Sequence, residues 1–323
     1  MPVTESDEDA TVVGATVVGA TVIGATVIGA TNPTAARSRL RQTRLQWHVL
    51  TSNIMQKAAF GFIALLCLTA ILAPYVVPYP AAIGGQVSMN EILEAPSWTH
   101  PFGTDEFGRD IFSRVLYGVR VSLMASVIVI SIAIGLGSAF GVIAAGVGGI
   151  VDEVIMRTTD IFLAFPVAVL AIVITSFWGG SLRNAIIALG ISWWPWYARL
   201  VRGTALSIRE RPYVIAARAL GTSPLRVMFS HILKNSLGPT LVLASLDMGA
   251  VILMLATLSF LGLGAQPPTP EWGLMINQSR TYFLSAWWYM AFPGLAITLT
   301  VFSFSILGEG LGEVLNPKSR GQG

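Results

Sequence analysis

Tyr213-Val214-Ile215-Ala216-Ala217-Arg218-Ala219-Leu220-Gly221, followed by Thr222-Ser223-Pro224, is the stretch on which the reading of this 323-residue chain turns. Pro212 suits a first helical turn, where its missing N–H is no loss. Tyr213, Ala216, Ala217 and Leu220 then recur at helical spacing. Gly221 follows Leu220 where a helix end wants a left-handed residue. Ser223 is a natural N-cap with Pro224 behind it, and Leu225, Met228, Phe229 and Ile232 form the next apolar face. The spacing therefore predicts a helix, a glycine turn and a second helix. This pair lies within about forty residues, Tyr197 to Pro239, that carry seven cations from Arg199 to Lys234 and one acid, Glu210.

Both flanks of that basic stretch are apolar. The whole chain is 54% hydrophobic and only 11% charged, less than half the usual charged fraction of a soluble domain. Six apolar runs, at about 58–79, 121–145, 160–177, 184–199, 240–262 and 286–307, are read as helices crossing a hydrocarbon core of ~30 Å. The third and fourth are short. The fold class that follows is an all-α polytopic membrane protein.

A basic helix-turn-helix would also suit DNA, but membrane flanks on both sides argue against it. An amphipathic pair resting on anionic lipid is the more serious alternative. Ala216 and Ala217 lack bulk, which would let another protein's backbone come close. Six spans place both termini on one side. With the N-terminus inside, the inner segments hold fifteen of the twenty Lys and Arg, and the outer ones hold Arg109, Arg114, Arg120, Arg183 and Arg280. That asymmetry favours cytoplasmic termini in a plasma-membrane protein.

The remaining organisation reads as follows. Residues 1–36 are a low-complexity tail. Within it, residues 10–31 repeat Thr-Val-Val/Ile-Gly-Ala four times, a period that matches neither helix nor strand. The tail is read as disordered, with a docking or self-pairing β-segment as the alternative. Residues 37–57 form a basic pre-membrane segment, 58–316 the membrane domain and 317–323 a cytoplasmic tail. The acidic start and the long first span do not fit a cleavable signal peptide. Cys67 is the sole cysteine, so no intrachain disulfide forms.

The outer segment, 80–120, contains His100, Asp105, Glu106, Asp110 and Ser113. From Asp105 the spacing suggests a short interfacial helix with Asp105/Arg109 and Asp110/Arg114 as i,i+4 pairs. Phe107, Ile111, Phe112 and Val115 would share its apolar side. That crowding points to a structural role rather than to catalysis or a metal. Asp247 is the one formal charge inside an apolar span, and such residues are costly and often functional. It is a candidate for the translocation path, attracting a substrate ammonium group. The alternative is a carboxylate held by Ser245 or by a neighbouring helix. Gly137-x-x-x-Gly141 permits close helix approach. No nucleotide site is present: the three lysines follow Gln56, Leu233 and Pro317, and a P-loop needs a Gly-Lys pair.

The stretch Tyr213 to Gly221, with His231-Ile232-Leu233 beyond it, resembles the E-A-A-x-x-x-G loop of ABC-importer permeases. Ile215 stands where that family usually has Glu, and Lys234 where it often has Pro. Three further stretches resemble the dipeptide and oligopeptide (DppC/OppC-type) subfamily: His100-Pro101-Phe102-Gly103-Thr104-Asp105 through Gly118, Met156-Arg157 through Pro166, and Leu258-Ser259-Phe260-Leu261-Gly262 through Gly273. The similarity runs from roughly residue 55 to 320.

The resemblance implies a type I ABC importer permease fold with cytoplasmic coupling helices in the 200–239 loop. The residues docking on the ATPases would be Tyr213, Ala216, Ala217, Arg218, Leu220 and Gly221. It also implies a second homologous permease subunit, two cytoplasmic ATPase subunits and an extracytoplasmic peptide-binding protein. The chain itself would be no enzyme and hold no cofactor or metal, with ATP and Mg on the partner subunits. Di- or oligopeptides are the expected cargo, with nickel, glutathione or haem as alternatives. A stand-alone secondary transporter is the rival from another class; it predicts an internal repeat, broken spans or mid-membrane coupling acids, of which the sequence shows only Asp247. A membrane-bound enzyme comes third.

Overall fold

A computed structural model describes residues 53–315, and within it the ordered elements are helices joined by short turns. The expected tail repeat, most of the basic pre-membrane segment and the tail at 317–323 lie outside the described residues. In chain order the main helices are α1 (Ile54–Val76), α2 (Ile111–Val147), α3 (Gly149–Leu163), α4 (Val167–Trp178) and α5 (Leu182–Arg209). They continue with α6 (Pro212–Ala219), α7 (Pro224–Phe260), α8 (Trp272–Ser279) and α9 (Trp287–Leu315).

Four of these, α1, α2, α7 and α9, are long and apolar enough to cross a membrane. The third expected span, 160–177, is not one straight helix. The chain bends by 88° between α3 and α4, at Ala164-Phe165-Pro166. Proline disfavours helical backbone in the residue before it and lacks a donor itself, so the apolar run is continuous in composition but broken in direction. Taken as one bent span, α3 and α4 raise the number to five. The fourth expected span lies inside α5, whose 28 residues are ample in length (~42 Å at 1.5 Å per residue). Asn184, Arg199 and the run Trp193-Trp194-Pro195-Trp196-Tyr197 make it less apolar than the other four.

The core is built on α2. It packs most extensively on α5, while α7 packs on α9. Gly137 and Gly141 make the first contact close: a Cβ on Gly137 would lie 2.4 Å from Tyr197 Cβ, and one on Gly141 would lie 2.7 Å from the Ala198 carbonyl. The small-residue motif is thus the seam between α2 and α5 of one chain. Leu65, Leu68 and Ile71 of α1 point outward, as expected of a helix facing lipid.

The outer segment departs from the expected interfacial helix. Residues 104–110 form a tight loop closed by an antiparallel bridge between Thr104 and Asp110. Asp105 Oδ1 accepts from the Phe107 and Arg109 amides, each at 2.9 Å, and Gly108 adopts φ 71°. A side chain bonding its own following amides competes with helix, and helix starts only at Ile111. There Asp110 is the N-cap, accepting from the Ser113 amide at 2.7 Å. The Asp105–Arg109 pair does form, Nε to Oδ2 at 2.7 Å. Asp110 turns instead to His100 Nδ1 at 2.9 Å. Arg114 is buried and donates to the Ala82 carbonyl at 3.1 Å. Phe107 is exposed, whereas Ile111 and Val115 are buried in one cluster, so the expected apolar side loses Phe107 and faces the protein core rather than the interface. Arg114 also donates to the Pro268 carbonyl at 3.4 Å in the loop before α8, and Trp272 at the start of α8 donates through Nε1 to the Val115 carbonyl at 3.1 Å.

Candidate functional site

The short helix α6 stands between two much longer ones, with α5 running to Arg209 and α7 starting at Pro224. Only about fourteen residues, 210–223, therefore separate helix from helix. Arg211 enters in an extended conformation and Pro212 opens the first turn. The exit is closed by two hydrogen bonds: the Gly221 amide donates to the Arg218 carbonyl at 2.9 Å and the Thr222 amide to the Ala217 carbonyl at 3.1 Å. With Gly221 at φ 82°, this is a Schellman ending.

Val214 pins α6 in place. It is fully buried in a cluster with Ala145, Ala205, Ile208, Val227 and Ile232. Tyr213, Ala216, Arg218, Leu220 and Gly221 are exposed, and Ala217 is partly so. Leu220 is 87% and Ile215 56% exposed, so α6 offers an apolar patch with no partner within the described residues. Helical spacing alone put Tyr213, Ala216, Ala217 and Leu220 on one face, and that face looks outward. Val214, the residue of α6 that turns inward, was not singled out.

The second helix starts at Pro224, but Ser223 makes no side-chain cap. Residues Met228–Leu233 form a π-turn. Its wider spacing shifts the buried face: Val227 and Ile232 are buried, whereas Leu225 and Phe229 of the expected apolar face are more than half exposed. Tyr213 contacts the His231 ring, with centroids 6.2 Å apart.

Three arginines of α5 tie this elbow to the membrane helices. Arg202 holds Asp152 of α3 through two bonds, at 2.5 and 2.7 Å. Arg199 reaches Asp160 at 2.6 Å, and Arg209 donates to the Ala145 carbonyl of α2 at 3.1 Å. In the sequence these cations counted only toward the asymmetry between inner and outer segments. Their partners are some 40 to 60 residues away, beyond the reach of any local pattern.

Asp247 lies on α7, and the neighbouring helix α5 holds it. Its Oδ2 accepts from Tyr197 Oη at 2.8 Å and from Trp193 Nε1 at 3.1 Å. Ser245 donates to the Leu241 carbonyl instead. The carboxylate is only partly buried, and its Oδ1 has no hydrogen bond among the described residues.

Residues 137–321, more than half of the chain, match the family described as the binding-protein-dependent transport system inner membrane component. The chain belongs to that family. Two relatives are each 43% identical to it. One is the probable D,D-dipeptide transport system permease protein DdpC of Escherichia coli K12, aligned over 88% of this chain and 94% of the relative. The other is the dipeptide transport system permease protein DppC of Alkalihalophilus pseudofirmus, aligned over 84% and 88%. The glutathione transport system permease protein GsiD of Pectobacterium atrosepticum is 39% identical over 84% of this chain and 90% of the relative. The match covers α6, Asp247 and the arginines of α5 together. The chain is an importer permease of the dipeptide type, and its apolar helices make it a multi-pass membrane protein.

Proposed function

We propose that the chain is one half of the membrane pore of an ATP-driven importer of small peptides, and that α6 passes the motion of a cytoplasmic ATPase to the transmembrane helices. The observation that carries this reading is the surface of α6: a rigid, capped helix anchored inward by Val214 and showing Ile215, Ala216 and Leu220 outward. Its base is joined to α5 and α7 within a few residues on either side. A push on α6 is therefore delivered to two long helices at once.

In this reading α1, α2, α3–α4, α5, α7 and α9 make six spans, with both termini cytoplasmic. Tyr213, Ala216, Ala217, Arg218, Leu220 and Gly221 form or shape the ATPase-facing surface. ATP and Mg bind on the two ATPase subunits, a second permease completes the pore, and an external binding protein delivers cargo. The relatives named for dipeptides and glutathione support a short peptide as that cargo, glutathione being a tripeptide itself. Asp247, with one oxygen held by α5 and the other unbonded, supplies a fixed negative charge for a peptide ammonium group.

Gentle affinity purification of the tagged chain from its own membranes, with mass spectrometry of what accompanies it, tests the proposal. Recovery of a second permease and of Walker-motif ATPases is expected. A chain that purifies alone and still transports after reconstitution would replace this reading with a secondary transporter.

A further inference from the structure

Beside the elbow, two clefts meet at Met228. One, of about 540 Å³, lies under the end of α2 and is lined on its polar side by Arg209, Arg218 and Thr222. The other, of about 330 Å³, continues along α2 and α7 past Gly135, Ser138, Phe229 and Leu237, and its walls are almost wholly apolar. The α2 residues along the two clefts run from Val147 back to Ile134. At 1.5 Å per residue that is about 20 Å, comparable with the ~15 Å depth of one leaflet's hydrocarbon. Neither Arg209 nor Arg218 has a carboxylate partner among the described residues. Arg209 spends one donor on the Ala145 carbonyl, and a guanidinium has five.

We infer that these joined clefts bind one anionic phospholipid. The phosphodiester sits against Arg209, Arg218 and Thr222, and an acyl chain lies in the apolar cleft between α2 and α7. Charge and length both select this occupant. Two unpaired cations at the end of an apolar slot match a headgroup and tail, whereas a free phosphate would leave the slot empty. Basic pockets between membrane helices on the cytoplasmic side are suited to such headgroups. The inference uses the proposed orientation, with the arginine-rich end facing the cytoplasm, and makes Arg218 common to the headgroup site and the edge of the ATPase-facing surface; it does not use the transport cycle.

Binding of fluorescent phosphatidylglycerol and of phosphatidylcholine with the same chains to the purified full-length protein in detergent tests it. No ATPase or cargo enters the assay, so its failure is distinct from failure of the importer reading. Wild type should prefer phosphatidylglycerol, and R209Q/R218Q should lose roughly thirtyfold of that affinity. Glutamine removes the charge at each position while leaving a polar amide donor. Gly135→Leu, whose Cβ would meet nothing within 4 Å, should fold and also weaken phosphatidylglycerol, because the leucine fills the apolar cleft. Equal binding of the two lipids, or an unchanged preference in R209Q/R218Q, would overturn the inference. So would displacement by inorganic phosphate together with wild-type binding by Gly135→Leu, which would mark a soluble-anion site.

Discussion

The hydroxyl of Tyr197 donates to Asp247 at 2.8 Å across the contact between α5 and α7, and the Cβ of the same tyrosine lies against Gly137 of α2. One fully buried side chain thus links the α2–α5 seam to Asp247 on α7. Tyr197→Phe should cost about 2 kcal/mol, the worth of a hydrogen bond to a charged group, read as a lower thermal midpoint in detergent. Asp247→Asn keeps an acceptor and should cost less. If the carboxylate attracts a peptide ammonium group, Asp247→Asn should raise the KM for uptake with little change in maximal rate.

The glycines of α2 separate packing from open space. Gly137→Ala would force a methyl against Tyr197 and the Trp194 carbonyl, and should destabilise by about 1–3 kcal/mol, as overpacking does. Gly135→Ala meets nothing within 4 Å. It should be neutral or stabilising by up to about 1 kcal/mol, since alanine is the better helix former. Thermal unfolding of the two variants side by side checks this.

The two ion pairs between α3 and α5 should differ in worth. Arg202 and Asp152 have side chains 32% and 21% exposed and meet in a bidentate contact; Arg199 and Asp160 are 54% and 53% exposed. Double-mutant cycles should give a coupling of about 1 kcal/mol for the first and below about 0.5 kcal/mol for the second, as solvent screening requires.

Glu271 caps α8, accepting from the Gly273 amide at 3.0 Å and the Leu274 amide at 2.9 Å. Burial pushes its carboxyl above the usual carboxylate range, with the two amides opposing that shift. A raised value means that the folded protein holds this proton more tightly than the unfolded chain does. The stabilisation is complete below an ordinary glutamate value of about 4.3 and is lost as pH rises through the raised one. Glu271→Gln should flatten the fall in thermal midpoint over that window.

The sequence made the class legible because apolar run length reports membrane helices directly, and it made the elbow legible because Pro212, Gly221 and Pro224 punctuate it. Gly221 has the left-handed conformation expected of it. What was not legible has local physical causes. Asp105 and Gly108 read as helix by spacing, yet the aspartate bonds its own following amides and the glycine turns left-handed. The run 160–177 hides a right-angled bend because hydropathy carries no direction. The π-turn at Met228–Leu233 moves Phe229 outward, which a 3.6-residue period cannot foresee. Asp247 was singled out by its charge, but its holders, Trp193 and Tyr197, lie 54 and 50 residues away in sequence, beyond the reach of a local pattern.

Ile215 offers a graded test of the α6 surface. It is 56% exposed and occupies the Glu position of the E-A-A loop that this stretch resembles. Ile215→Glu should fold normally, since no buried contact is lost, and should preserve or strengthen retention of the ATPase subunits in a pull-down from membranes.

The most direct test of force transfer through α6 is Gly221→Pro, with dipeptide uptake and ATP hydrolysis measured in the same proteoliposomes holding the assembled transporter. Proline fixes φ near −65° and removes the amide, so it cannot take the φ of 82° or make the bond to the Arg218 carbonyl. The account predicts a variant that inserts and assembles, hydrolyses ATP and no longer imports peptide. Normal peptide uptake per ATP hydrolysed by Gly221→Pro would contradict it.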